Sequence, residues 1–171
     1  MKTIQPDQFR ILAITPVTNG VGFAVLEGKD TLVDWGVKNV AEKKNAGSLA
    51  NVKELIGRYR PDVLVMENAS AEGSRRCPRI RKLFPQLIGL AKANNLRTEL
   101  FSRDQLTKFF IPDGKGTKHA VAQIIAKKFP LQLETKLPPK RKPWMHEHYQ
   151  MAIFDAVALA WTQRMKNAVK T

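Results

Sequence analysis

The stretch Pro61–Ser70, PDVLVMENAS, decides how the rest of this chain is interpreted. Its centre, Val63–Met66, is a continuous apolar run that Pro61 opens and Asn68 closes. A short apolar run bounded by turn residues is typical of a strand buried on both faces, as in a parallel sheet covered by helices. Glu67 follows at once, at the carboxyl end of this strand. Open α/β sheets place their ligands and their chemistry at that edge.

A second isolated acid lies near the C-terminus. The stretch Phe154–Trp161, FDAVALAW, sets Asp155 in an almost wholly apolar helical segment. One interpretation of Glu67 is that it is only a solvated strand end. Because two single acids each lie on a buried element, we favour the hypothesis that Glu67 and Asp155 meet in one site.

The charge balance indicates the kind of partner. The 171 residues include 29 Lys+Arg against 15 Asp+Glu, a formal net charge of +14, and 43% of them are hydrophobic. This length and composition predict one globular domain, 1–171. The positive excess favours a polyanionic partner, either nucleic acid or an anionic membrane. No stretch approaches the roughly 18 apolar residues that a spanning helix needs, so we expect no membrane partner of that kind.

Cysteine use and the N-terminal residues bear on the compartment. Cys77 is the only cysteine, which excludes a disulfide framework and a cysteine-based zinc site. The first residues, MKTIQPDQFR, lack the apolar core of a secretory signal. We therefore expect a cytoplasmic, nucleoid-associated protein.

Apolar periodicity and turn residues predict an α/β fold. Three strands joined by short turns form an antiparallel meander, and a helix capped by Ser48 leads to the strand before Glu67. We expect a mixed five-stranded sheet, three antiparallel strands followed by two parallel ones, with helices on both faces. The predicted strands are Arg10–Thr15, Val21–Leu26, Thr31–Val37, Val63–Met66 and Arg97–Ser102. The predicted helices are Asn45–Arg60, a segment after Ile80, Arg103–Phe110, one capped by Thr117 and ending near Phe129, and a last one from between His146 and Gln150 toward Lys166.

This plan of elements and acids resembles the RuvC-type Holliday-junction resolvases of the ribonuclease H-like superfamily. Ile11–Gly28, ILAITPVTNGVGFAVLEG, is similar to the opening hairpin of that family, and PDVLVMENAS to its second acidic motif. The segment Phe101–Pro130 is similar to the stretch that carries the family's functional lysines, with Lys108 and Lys118 in matching positions. In the closing helix, Asp155 matches the last acid of the family's pattern.

The resemblance implies two-metal cleavage of phosphodiesters with Mg²⁺ or Mn²⁺, with Glu67, Asp155 and Lys118 as catalytic residues. The chain departs from the family at two positions, since Thr15 replaces the aspartate of the first strand and Ala152 replaces an acid or histidine of the closing helix. His148 and Glu147 would reach the site as further metal ligands if the last helix extended back to them, about two turns before Asp155.

Two interpretations of function therefore stay open. The first is a metal-dependent, structure-specific endonuclease acting on branched DNA such as Holliday junctions, in recombination and repair. The second is a catalytically impaired protein of the same fold that binds DNA or RNA without cutting it. A third discards the resemblance and keeps a small basic α/β protein that docks on RNA. By the resemblance we expect a homodimer, formed through the helix after Glu67.

Clustered cations predict the surface that binds branched or double-stranded nucleic acid. Such side chains on loops around one sheet edge would follow a phosphate backbone. The predicted set is Arg75, Arg76, Arg79, Arg81, Lys82, Lys108, Lys115, Lys118, Lys140, Arg141 and Lys142. Phe84, Trp144 and Tyr149 lie beside these segments; stacking on unpaired bases is one role for them, but we favour packing in the core or bracing of the Pro-rich connector.

Overall fold

The computed structural model describes residues 8–68 and 76–169. Its strands are β1 (Arg10–Val17), β2 (Gly20–Glu27), β3 (Thr31–Asn39), β4 (Val63–Glu67) and β5 (Arg97–Phe101). Its helices are α1 (Lys44–Tyr59), α2 (Pro78–Ala93), α3 (Arg103–Phe110), α4 (Lys118–Lys128), α5 (Pro130–Leu133) and α6 (Met151–Val169), with a 3₁₀ turn at Glu134–Lys136.

The strands form one mixed sheet in the order β3-β2-β1-β4-β5. β1, β2 and β3 pair antiparallel, whereas β4 pairs parallel with both β1 and β5. The predicted fold class is confirmed: three antiparallel strands are followed by two parallel ones. The carboxyl ends of β1, β4 and β5 consequently share one edge of the sheet.

Alternation along the central strands separates two apolar layers. One layer packs against α1 and α2 and includes Leu12, Ile14, Leu64 and Met66. The other packs against α4 and α6 and includes Ile11, Ala13, Val63 and Val65. Helices therefore cover both faces, as predicted. By the same alternation, the odd-numbered Thr15 and Glu67 fall on the α6 face of the sheet.

Helix boundaries follow local hydrogen bonds. The Thr117 side chain accepts from the Ala120 amide and caps α4, as predicted. The prediction for Ser48 was wrong, because Ser48 is buried within α1 and Lys43 occupies the cap position. Its side chain faces the interior of the protein and not the free amides of the first turn.

The last helix begins at Met151, just after the predicted range for its start. Three i→i−3 bonds tighten its opening, from the amides of Met151, Ala152 and Ile153. Since residues before this turn are not helical, Glu147 and His148 do not lie two turns before Asp155 on its helix face. The condition under which they were expected to supply metal ligands, a last helix that extends back to them, is therefore not met.

The three aromatic residues beside basic segments have different surroundings. Phe84 is buried in the α1–α2 layer, as expected. Trp144 and Tyr149 are 77% and 63% exposed, which excludes core packing for both and leaves bracing of the connector as the prediction. Among residues 8–68 and 76–169, no helix combines the length and apolarity that crossing a bilayer requires.

Candidate functional site

The site begins where β1 and β4 end side by side. Their parallel register pairs Ile14 with Met66, so Thr15 and Glu67 follow as neighbours on the α6 face. Both side chains are nearly buried, at 2% and 8% exposure. The Thr15 hydroxyl finds no hydrogen-bond partner within the described part of the chain.

A close approach of α6 to β2 brings Asp155 to the same edge. Gly22 pairs with Thr15 across the β1–β2 ladder. A Cβ built on Gly22 would lie 2.6 Å from the Ala152 Cβ and 2.8 Å from its carbonyl oxygen. The glycine thus lets α6 approach β2 so closely, and Asp155 lies one turn after Ala152 on the same helix face.

Arg103 connects the two buried acids. Its Nη1 donates to Asp155 Oδ1 at 3.2 Å, and its Nη2 lies 3.7 Å from Glu67 Oε2. The capping box of Ser102 and Gln105 starts α3 directly after β5 and places Arg103 in its first turn. Because β5 lies beside β4, this first turn faces the end of β4. Glu67 and Asp155 therefore meet, as predicted, around a guanidinium group.

Two further cations complete a chain of ion pairs. Arg76 Nη2 lies 2.6 Å from Glu67 Oε2, and its Nη1 donates to the Pro16 carbonyl at 3.1 Å. Lys118 Nζ donates to Asp155 Oδ2 at 3.2 Å and to Glu147 Oε1 at 3.1 Å. Both oxygens of Asp155 and one oxygen of Glu67 are therefore held by cations of the protein.

The electrostatics follow from this arrangement. Burial of Asp155 would raise the pKa of its carboxyl, but Lys118 and Arg103 outweigh burial and lower the pKa below its usual 3.8. Burial would lower the pKa of Arg103, but Asp155 and Glu67 raise it above its usual value. Asp155 and Arg103 therefore both carry their charges at neutral pH.

These residues do not fit a two-metal site. A pair of Mg²⁺ or Mn²⁺ ions needs several carboxylate oxygens free to coordinate. Here Arg103 lies at ion-pair distance from both acids. Within residues 8–68 and 76–169, no three His, Cys, Asp or Glu side chains are grouped so that they could hold a metal ion.

The other predicted metal ligands lie apart from Glu67. Glu147 reaches the site only through Lys118, from the connector and not from a helix. His148 is exposed and stacks on Tyr149, with ring centroids 4.7 Å apart. Its Nδ1 accepts from the Gln150 amide at 3.2 Å. The predicted set of four ligands is thus not assembled.

The predicted nucleic-acid contacts divide into inward and outward groups. Inward, Arg79 donates to Asn45 Oδ1 at 2.9 Å and to the Thr18 carbonyl at 3.0 Å, while Arg76 and Lys118 hold the acids. Lys108 pairs with Asp104 at 2.9 Å on the surface of α3. The outward, exposed members are Arg81, Lys82, Lys108, Lys115, Lys140, Arg141 and Lys142. Arg75 lies outside the described residues.

Arg103 is the site residue that the sequence analysis did not single out. A usable signal existed, since the sequence SRDQ directly after the strand Arg97–Phe101 fixes a capped helix at the strand's carboxyl end. Its importance became apparent only from the placement of β5 next to β4.

The chain has the ribonuclease H-like fold of RuvC. The structure of Thermus thermophilus RuvC matches with a TM-score of 0.68 at 17% identity, covering 95% of this chain and 98% of that one. T. thermophilus RuvC in complex with a Holliday junction substrate gives a TM-score of 0.66 at 18% identity, covering 93% and 97%. The yeast mitochondrial Holliday junction resolvase Ydc2 gives 0.58 at 16% identity, covering 97% and 83%.

The likeness is one of structure. No protein-family model and no curated protein matches this chain. At identities of 16% to 18%, the solved structures establish the fold and leave the activity to be argued from the site.

Proposed function

We propose that this protein uses a resolvase fold to bind branched or double-stranded DNA and does not cut it by a two-metal mechanism. The observation that carries the proposal is the position of Arg103 between Glu67 and Asp155, at 3.7 and 3.2 Å. A guanidinium group in that place supplies the charge that metal ions would supply, but it can neither activate a water molecule nor act as a Lewis acid.

The DNA-binding part of the proposal is supported by charge and placement. The net charge is +14. Lys118 lies at the carboxyl edge of the sheet, and Lys140 and Arg141 line a cavity with it. Exposed Lys115 precedes α4. Cations grouped at one edge favour contact with a phosphate backbone. The T. thermophilus RuvC complex supports the choice of a junction, since that protein is bound there to a Holliday junction substrate.

The cleavage test uses a labelled four-way junction with the protein in excess and Mg²⁺ or Mn²⁺ added. We expect a protein–junction complex of reduced mobility on a native gel and no nicked strands on a denaturing gel. Nicking that requires the metal and disappears in Glu67→Gln would overturn the proposal. A parallel reaction with Lys53→Ala, an exposed cation on α1, shows whether any change is specific to the site.

The substrate test compares the four-way junction with a duplex, a single strand and an RNA duplex of equal length by fluorescence anisotropy. We expect the tightest binding for the junction, then for the duplex. Tighter binding of the RNA duplex than of either DNA would replace this proposal with the RNA-docking function.

One observation favours the nuclease as a second candidate. The buried Thr15 hydroxyl lies beside Glu67 and has no hydrogen-bond partner among the described residues. A neutral hydroxyl is a weak ligand for Mg²⁺, so any such site would bind metal weakly. Calorimetric titration with Mn²⁺ separates the nuclease from the non-cutting DNA-binding protein. Measurable Mn²⁺ binding that Glu67→Gln removes favours the nuclease.

We further propose a homodimer formed through the outer face of α2. Pro85, Gln86 and Gly89 are exposed there, and a Cβ on Gly89 would meet nothing within 4 Å. This bare face lets a second α2 approach closely. Light scattering should give twice the chain mass for the native protein and one chain mass for Gly89→Arg; a native monomer contradicts the proposal.

A further inference from the structure

A cavity adjoins the ion-pair chain at Lys118 and Glu147, between the first turn of α4 and the connector before α6. Its volume is about 320 Å³, within the range of about 300–1,000 Å³ that is usual for small-ligand sites. It is lined by residues 117–119 at the start of α4 and by residues 138–141, 145–148 and 151. The connector is fixed on the α4 side by a 3.0 Å contact between His119 Nε2 and the Pro138 carbonyl.

The lining combines two kinds of chemistry. Pro138, Pro139, Met145 and Met151 supply apolar surface suited to the flat face of a nucleobase. Lys140 and Arg141 supply positive charge for a phosphate, and the amides of the first turn of α4 add to it. A base joined to a phosphate is the ligand class that uses both.

Two exposed aromatic side chains adjoin the cavity. Tyr149 stacks on His148, a lining residue, with an interplanar angle of 26°. Trp144 directly precedes the lining residue Met145, and Lys142 Nζ lies 5.4 Å from its ring centroid. At 63% and 77% exposure, both rings have faces open to solvent. Exposed aromatic rings among cations are typical of surfaces on which unpaired bases stack.

We propose that this cavity binds one unpaired nucleotide, with its base against the prolines and methionines and its phosphate at Lys140 and Arg141. The proposal rests on the proposed function, because a DNA strand is the expected source of that nucleotide. It extends that function by naming what the protein distinguishes, namely a base without a partner. Lys118 lines the cavity and also holds Asp155, so the nucleotide would bind directly beside the buried acids.

The experiment uses a duplex with one unpaired 2-aminopurine and the matching fully paired duplex. We expect tighter binding of the first, with quenching of 2-aminopurine as it stacks. Tyr149→Ala should reduce the ratio of the two affinities by roughly fivefold to a hundredfold, the range that truncated stacking residues give. Met145→Trp, which fills the cavity, should reduce the ratio as well. The matched control is Leu131→Ala, a 95% exposed residue on α5 that should retain the ratio.

A second arm titrates the protein with free deoxyadenosine monophosphate. Binding is monitored through the NMR chemical shifts of the cavity residues. Binding of the free nucleotide without any binding of DNA supports the cavity and overturns the proposed function. Equal affinity for paired and unpaired DNA, or an unchanged ratio in both variants, overturns the cavity proposal and leaves the proposed function standing. Failure of the protein to bind either the nucleotide or DNA overturns both.

Discussion

At the scale of single residues, the buried acids are the feature with the largest energetic consequence. A carboxylate removed from water is costly unless it is paired and hydrogen-bonded. Asp155 is 7% exposed and Glu67 is 8% exposed. Their oxygens are paired with three cations of the protein, Arg76, Arg103 and Lys118. Stability and site geometry therefore depend on the same ion pairs.

Arg103→Ala should destabilise the protein, because it leaves two buried acids with fewer counter-charges. Since the Arg103 side chain is 32% exposed, we expect a loss between the ~1 kcal/mol of an exposed pair and the ~3–5 kcal/mol of a fully buried one. Urea unfolding measures it. Arg58→Ala, which breaks an exposed pair with Glu54, is the control and should cost less than about 1 kcal/mol. Equal losses in the two variants would contradict the bridging role.

The loss of folding stability at acidic pH should depend on Asp155. Folding lowers the pKa of this carboxyl, so its contribution is present above the ordinary value near 3.8 and disappears as the pH falls below it. The free energy of unfolding of the wild type should therefore fall more steeply below pH ~4 than that of Asp155→Asn. Denaturant melts at several pH values measure the slopes. Asp104→Asn, on the exposed surface of α3, should keep the wild-type slope.

The sequence predicted the two acids but not their counter-ions. Glu67 and Asp155 stand out because each is a single charge among apolar residues. Arg103 looks like an ordinary first-turn residue, and its role depends on β5 lying next to β4. Arg76 and Arg79 were predicted to bind nucleic acid. In the structure Arg76, just before α2, donates to the Pro16 carbonyl of β1, and Arg79 on α2 donates to the Val17 and Thr18 carbonyls at the end of β1. Ion pairing is decided by tertiary distance, which a linear charge pattern does not contain.

At the scale of elements, the packing of α6 on β2 decides where Asp155 lies. The contact between Gly22 and Ala152 allows no additional atom, since the nearest backbone atoms of Ala152 lie 2.8 and 2.9 Å from an added Cβ. The same contact explains Ala152, because α6 lies too close to β2 there for a longer side chain. The small side chain of Ala152 and the absence of a Cβ at Gly22 are therefore parts of one packing feature.

Gly22→Ala should displace α6 and destabilise the protein. Overpacking of this kind typically costs about 1–3 kcal/mol, and here the opposing atoms are backbone, which yields little. Gly57→Ala on α1 is the matched control, since an added Cβ meets nothing within 4 Å there. Removing a helical glycine should stabilise by roughly 0.5–1 kcal/mol. Thermal melts of both variants should therefore shift in opposite directions; a neutral Gly22→Ala would contradict the close packing.

The elements were predictable where local chemistry decides them. Ser102 and Thr117 cap α3 and α4, and apolar runs define the strands. The start of α6 was harder, because no capping side chain marks it in the sequence HEHYQ. The His148 ring instead accepts the Gln150 amide and holds a tight turn before the helix. This one difference removes Glu147 and His148 from the helix face of Asp155.

At the scale of the whole molecule, the fold followed from the order of strands and helices, and the proposed polyanionic partner from the net charge of +14. Hairpins join the first three strands, and each of the next two follows a helix, which accounts for antiparallel pairing in the first group and parallel pairing in the second. Which cations face outward could not be predicted, because several of them satisfy carbonyls and acids of the protein.

Binding of duplex DNA should depend steeply on salt. Each phosphate contact contributes about 0.9 to the slope of log affinity against log salt concentration. Replacing Lys140, Arg141 and Lys142 by alanine should therefore make that slope less steep, reducing its magnitude by up to ~2.7. Lys29, Lys53 and Lys92 are exposed and away from the cavity, and their combined alanine variant controls for the lost net charge. Equal changes in both variants would indicate diffuse attraction without a defined face.

Arg103 also has a consequence for how the protein behaves in different media. A counter-charge that is covalently part of the polypeptide cannot be chelated, diluted or exchanged for a competing ion. The acidic pair is therefore neutralised as soon as the chain has folded, whatever the supply of divalent ions in its surroundings. Dialysis against EDTA should leave the melting temperature where it was.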